Sequence, residues 1–138
     1  MSLSEKDGFY LDTSIWLDIY EKRGENGEFA LEFIRRVLDR NIRVYYSDLV
    51  LVELKILGYD EEIVDMMSVI PYDSRRKAHI FEVQKTESKR ISISRSVPKG
   101  DALHAILARD NNLIMITRDA HFQRLKDIVS AKKPEELI

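Results

Sequence analysis

The sequence predicts an α/β protein built on a parallel sheet covered on both faces by helices. Three observations predict it. Short β-branched or aromatic runs recur along the chain, and amphipathic stretches at helical spacing separate them. Strands and helices in that alternation build parallel sheets. One run, Leu113-Ile-Met-Ile-Thr117, is almost continuously apolar, as a strand buried on both faces must be. A chain of 138 residues, 44% hydrophobic, suits one domain with one core.

The elements follow in order. The polar opening MSLSEKDG leads residues 1–7 to be read as disordered or derived from cloning. Phe9-Tyr10-Leu11 is a short strand, and a helix through Ile15, Trp16 and Ile19 follows it. Arg23 to Gly27 reads as a polar loop. Phe29, Ala30, Phe33, Ile34, Val37 and Leu38 then recur at helical spacing. Ile42 to Tyr46 is a strand, Ser47 a good N-cap for a helix to about Leu57, and Gly58 a good stop. A short helix covers Asp60 to Met67 until Pro71 breaks the chain. A long basic helical stretch is expected from Ser74, with Ile91 to Ser94 ambiguous between strand and fraying helix. After Pro98 and Gly100 comes a helix from Asp101 to Arg109, then the strand Leu113–Thr117. A last helix starts near Ala120, and Ile128-Val129 reads as a short edge strand. Trp16, Phe33, Met66 and Met67 are expected in the core.

Composition narrows the function. The chain has no cysteine, which removes disulfides, thiolate metal sites and a cysteine nucleophile. With no apolar run long enough to cross a bilayer and no leader-like start, a cytoplasmic protein is expected. Net charge is only −2, yet Arg75 to Lys99 is a basic strip after an acidic stretch, Asp60 to Asp73. Such a strip is either a solvated helix face or a cradle for a polyanion.

Four carboxylates stand apart. Asp12 follows the first strand and Asp119 follows the strand Leu113–Thr117. Both therefore fall at the carboxyl edge of a parallel sheet, where ligands bind. Asp12, Asp101 and Asp119 could each be a helix or turn cap. Glu53 is harder to dismiss, because its helical neighbours Leu49, Val50, Ile56 and Leu57 are all apolar. A carboxylate on an apolar face needs a cation, a partner or a proton. His104 lies one turn after Asp101. It reads as a packing histidine with one hydrogen bond, with a supporting role behind the acids left open. Ser14 can orient water or cap, Thr117 can hold water or a neighbouring acid, and Arg118 can meet phosphate or neutralise acids. His79 and His121 have no partner at metal-ligand spacing.

Four segments then make a set. LDTSIWLDI at Leu11 to Ile19, SDLVLVEL at Ser47 to Leu54, GDALHAILA at Gly100 to Ala108 and TRDAHF at Thr117 to Phe122 resemble the four motifs of a PIN domain, in order and over nearly the whole chain. Small prokaryotic proteins of this kind resemble the toxins of VapBC-type toxin–antitoxin systems. The resemblance implies a three-layer α/β/α sandwich with a central, mainly parallel sheet of four to five strands, as one domain over residues 1–138. It implies an endoribonuclease dependent on Mg²⁺ or Mn²⁺ that hydrolyses phosphodiesters with metal-activated water. Carried over by motif, Asp12 and Asp101 are direct metal ligands, and Glu53 and Asp119 complete the site directly or through water. Ser14 matches the small polar position after the first acid, and Thr117 and His104 support the site. Arg118, Arg95 and Lys99 are the residues expected to meet RNA. Family members often dimerise and are often neutralised by a small antitoxin, so RNA, a second copy and an antitoxin are the expected partners. Many members carry more acids around the third motif, where this chain has His104.

Other readings share part of this pattern. An RNA-processing nuclease that is not a toxin, or a catalytically weak module that binds RNA or protein, would carry similar segments. An enzyme of the haloacid dehalogenase type needs a second Asp two residues after the first, where Ser14 stands. A P-loop enzyme is excluded, since no Gly-rich loop ends in Gly-Lys-Ser/Thr.

Overall fold

Strand β1 (Gly8–Leu11) is buried at every residue and lies at the centre of a five-stranded sheet of order β3-β2-β1-β4-β5. The computed structural model describes residues 6–22 and 24–138. Residues 1–5 of the expected disordered start lie outside the described residues, as does Arg23. β2 is Arg43–Ser47, β3 Arg75–Ala78, β4 Leu113–Ile116 and β5 Ala131–Lys132, and every pairing is parallel. Helices α1 (Thr13–Glu21), α2 (Gly24–Asp39), α3 (Asp48–Ile56), α4 (Ile63–Met67), α5 (Glu82–Arg95) and α6 (Lys99–Asp110) flank it, giving the three-layer α/β/α arrangement. α1 packs on α2 and α4, and α5 packs along α6.

The register positions the site. Leu11 pairs with Ile116, and the Asp12 N–H donates to the Ile116 carbonyl at 3.1 Å. The chain leaves β1 toward β2 on one side and returns to β4 on the other, so the topology reverses between β1 and β4. Ligands gather outside the strand ends at such a switch point. Asp12 and Thr117 emerge there side by side. α6, buried from Ala102 to Ala108, runs through the interior and brings Asp101 to the same edge.

Several elements differ from their sequence reading. The expected loop at 23–27 is mostly helix, because α2 starts at Gly24. Gly27 faces α1 so closely that a Cβ there would stand 2.5 Å from the Lys22 carbonyl carbon. The long basic helix from Ser74 is two elements: the edge strand β3, then α5 from Glu82. Three consecutive cations hid the strand, yet charged residues are how exposed sheet edges resist pairing with other chains. Arg75 is tied inward by donating to the Met67 and Ile70 carbonyls. Ile91 to Ser94 is helical, within α5. Ser47 makes no side-chain cap; its hydroxyl meets Tyr10 at 2.7 Å. The last helix is a 3₁₀ turn over Ala120–Leu125. The last edge strand is Ala131–Lys132, while Ile128 and Val129 close that turn onto the Leu125 carbonyl.

Candidate active site

A cleft of about 440 Å³ opens at the carboxyl edge of β1 and β4. Asp12, Glu53, Asp101 and Asp119 all line it, with Thr13, Ser14, Leu17, Ile56, Leu57 and His104. None of these lining residues is a lysine or arginine.

Asp12 is buried at the N-terminus of α1 and does cap it: its carboxylate accepts from the Ile15 N–H at 3.2 Å. It accepts also from the Ser14 hydroxyl at 2.7 Å and from the Thr117 hydroxyl. Burial nonetheless holds its carboxyl above the usual range, against the pull of Thr117 and Ser14. Thr117 links two acids, since its oxygen also accepts the Asp119 N–H at 3.0 Å. Asp119 caps the 3₁₀ turn, accepting from the His121 N–H at 2.9 Å. Capping and site placement are therefore not rivals here.

Glu53 sits where α3 meets the cleft, but not as its helical neighbours suggested. Val50 is buried, whereas Ile56 and Leu57 are 78% and 57% exposed at the cleft. Glu53 is thus a half-buried group beside an apolar rim. Its Oε1 accepts from Thr13 at 2.5 Å and lies 2.7 Å from His104 Nε2. Partial burial pushes its carboxyl up; the hydrogen bond and charge of His104, with Thr13, outweigh that and leave it below the usual range. Gly100 makes room for it, because a Cβ there would stand 2.9 Å from Glu53 Oε2.

His104 makes two hydrogen bonds rather than one. It is buried, and its Nδ1 lies 2.7 Å from the Tyr10 hydroxyl. Its two ring nitrogens thus bridge the Tyr10 hydroxyl to Glu53, and that hydroxyl also meets the Ser47 hydroxyl. Burial keeps the Tyr10 phenol protonated by pushing it well upward. The polar chain Ser47–Tyr10–His104–Glu53 thus runs from the core to the cleft.

Asp101 opens from the first turn of α6. Burial, with the Asp119 carboxylate beside it, pushes its carboxyl up to about 6 against the pull of His121. His121 is the residue that spacing missed. Its Nδ1 lies 2.9 Å from Asp101 Oδ2 and 3.0 Å from Asp119 Oδ1. Asp119 is its near neighbour in sequence, but Asp101 comes from another element, so no local pattern could reveal the trio.

The cations expected to meet RNA are differently placed. Arg118 lies 3.6 Å from Asp18 and 2.9 Å from Glu135. Arg95 clamps Asp127 with both terminal nitrogens. Both guanidiniums serve acids of the protein itself, and neither lines the cleft. Lys99, just before Gly100 and Asp101, is exposed with no ion pair among the described residues. The basic strip is otherwise divided between β3 and the outer helix α5.

The PIN domain family model matches residues 9–128. Among solved structures, the chain is similar to VapBC2 from Rickettsia felis bound to a DNA fragment from their promoter, at 16% identity and a TM-score of 0.66 over 91% of this chain and 97% of that one. It is similar to VapBC-1 from nontypeable Haemophilus influenzae at 18% identity and a TM-score of 0.66, over 91% and 97% of the two chains. FitAcB from Neisseria gonorrhoeae gives 16% identity and a TM-score of 0.62 at the same coverage. At these identities the likeness is one of fold. No curated protein sequence matches the chain.

Proposed function

This chain belongs to the PIN domain family, and on that premise we propose that it is a divalent-metal-dependent endoribonuclease, the toxin of a VapBC-type pair. The observation that carries the reading is the cleft itself: four carboxylates, from four separate elements, with no lysine or arginine among the lining residues. Negative charge gathered without compensation is a site for a cation.

The residues present fit such an ion. Carboxylate oxygens are the donors that hard divalent cations take, and Gly100 keeps the space beside Glu53 free of a side chain. Asp12, Asp101, Glu53 and Asp119 would hold the ion. When bound, Mg²⁺ or Mn²⁺ supplies activation of water and stabilisation of charge on the scissile phosphate. The chain's own residues do the rest. Ser14 and Thr117 hold the Asp12 carboxylate by hydrogen bonds, His104 and Thr13 hold Glu53, and Ile56 and Leu57 present an apolar rim to the substrate. Lys99, exposed just before Gly100 and Asp101, would meet an RNA phosphate.

The whole chain acts as one domain of this kind, in the cytoplasm, as a homodimer restrained by a small antitoxin. Likeness to VapBC assemblies supports the partner. Among the described residues no helix is long and apolar enough to cross a membrane.

The test is cleavage of single-stranded RNA by chelator-treated protein after addition of Mg²⁺ or Mn²⁺. Asp12→Asn and Asp101→Asn should each lose more than about a hundredfold in rate, with circular dichroism unchanged. Full activity in both variants sinks the assignment, and a folded wild type with no metal-dependent cleavage points to the binding-module alternative.

A further inference from the structure

Resting on the metal-centre reading above, we propose that His121 Nδ1 is a ligand of the ion held by Asp101 and Asp119, and that this nitrogen makes the centre prefer Mn²⁺ to Mg²⁺. Three potential ligand atoms, one from each residue, lie within 4.8 Å of one another. The nitrogen is the point of convergence, at 2.9 and 3.0 Å from the two carboxylates. A separation of about 3.0 Å is what two ligands at right angles show around an ion with bonds of about 2.1 Å.

The local fold holds this arrangement. Asp119 caps the 3₁₀ turn and accepts the His121 N–H, which ties the ring's backbone to the carboxylate it faces. Asp101 arrives from α6, a buried and rigid helix. The His121 side chain is 47% exposed, so the ring can adjust to a guest. His104 has no such freedom. It is buried, with both ring nitrogens within 2.7 Å of protein partners, and it supports Glu53 instead.

Ligand chemistry gives the selectivity. Carboxylates and water suit Mg²⁺ and Mn²⁺ alike, whereas imidazole nitrogen suits transition metals and adds little for Mg²⁺. One nitrogen among carboxylates therefore biases the centre without excluding the lighter ion.

The test titrates metal-free protein with Mn²⁺, followed by electron paramagnetic resonance, and with Mg²⁺ in competition. Wild type is compared with His121→Gln and, as a control outside the cleft, His79→Gln. Mn²⁺ affinity should fall at least about tenfold in His121→Gln while Mg²⁺ affinity changes less than about threefold. Pulsed measurements on bound Mn²⁺ should show a nitrogen coupling in wild type and in His79→Gln that is lost in His121→Gln. Mn²⁺-loaded wild type without that coupling overturns the proposal. So does a His121→Gln variant that binds Mn²⁺ as tightly as wild type or more tightly, which would make His121 an occupant that the ion displaces. A wild type that binds neither ion overturns the metal-centre reading as well, so the two failures are distinct.

Discussion

Between α5 and the end of α6, Glu87 accepts from Arg109 at 2.7 and 2.8 Å, and near the C-terminus Glu135 accepts from Arg118 at 2.9 Å. Guanidinium hydrogen bonds hold both carboxyls below the usual range. In the cleft, Asp12 and Asp101 stand above it: burial raises both, the Asp119 carboxylate adds to it at Asp101, and no lysine or arginine lines the cleft to offset them. Glu53 is the exception there, lowered by a histidine rather than by a permanent cation. Carboxylates are thus compensated by arginines in one region and left without them in the other. The protein neutralises these structural acids with its own arginines and lines the cleft's acids with no lysine or arginine.

The largest effect should come from erasing the contrast. Ser14→Lys places an ammonium beside Asp12, whose Oδ1 the serine contacts at 2.7 Å. Divalent-ion affinity and RNA cleavage should both fall by about a hundredfold or more, while the thermal midpoint in chelator rises. Retained activity would mean that the uncompensated charge is not what the site uses. The reverse change acts on the other region. Arg118→Met leaves the buried Asp18 and Glu135 without their shared cation. Urea unfolding should show a loss of about 2 kcal/mol, below the figure for a fully buried pair, with Mn²⁺ affinity unchanged.

The smallest effect sharpens the comparison through pH. The Asp101 carboxyl rises from an ordinary 3.8 to about 6 in the folded protein. The folded state therefore holds this proton to higher pH than the unfolded state does. Stability is favoured at low pH and falls as pH rises from about 3.8 to about 6. Asp101→Asn should flatten that fall in metal-free protein. The difference at neutral pH should be about 1 kcal/mol after allowance for solvent screening. Identical pH profiles would mean that the fold does not hold the Asp101 carboxyl above its ordinary range.

Much of this was legible in the chain. Strand–helix alternation marked the parallel sheet, and the positions of Asp12 and Asp119 after apolar strands put them at one edge. Both inferences rest on local periodicity, which short sequence windows carry. Glu53 was singled out on its apolar neighbours, yet Ile56 and Leu57 are exposed beside the cleft. The pattern marked a residue that lines the cleft while misjudging which way that part of the helix faces. β3 was hidden because Arg75-Arg76-Lys77 carries an edge strand's protective charge rather than a strand's apolar pattern.

By itself, then, the sequence determined the class of fold, the order of its main elements and the identity of four unusual acids. These follow from side-chain chemistry and spacing along one segment. Tertiary structure alone decided which distant partners those acids meet. His104 joins Tyr10 to Glu53 across separations of 94 and 51 residues, and Asp101 reaches His121 across 20. It also decided which arginines are engaged and which acids meet no lysine or arginine. Hydrogen bonds and ion pairs act over a few ångströms, and only the folded sheet and its buried helix bring such distant residues within that reach.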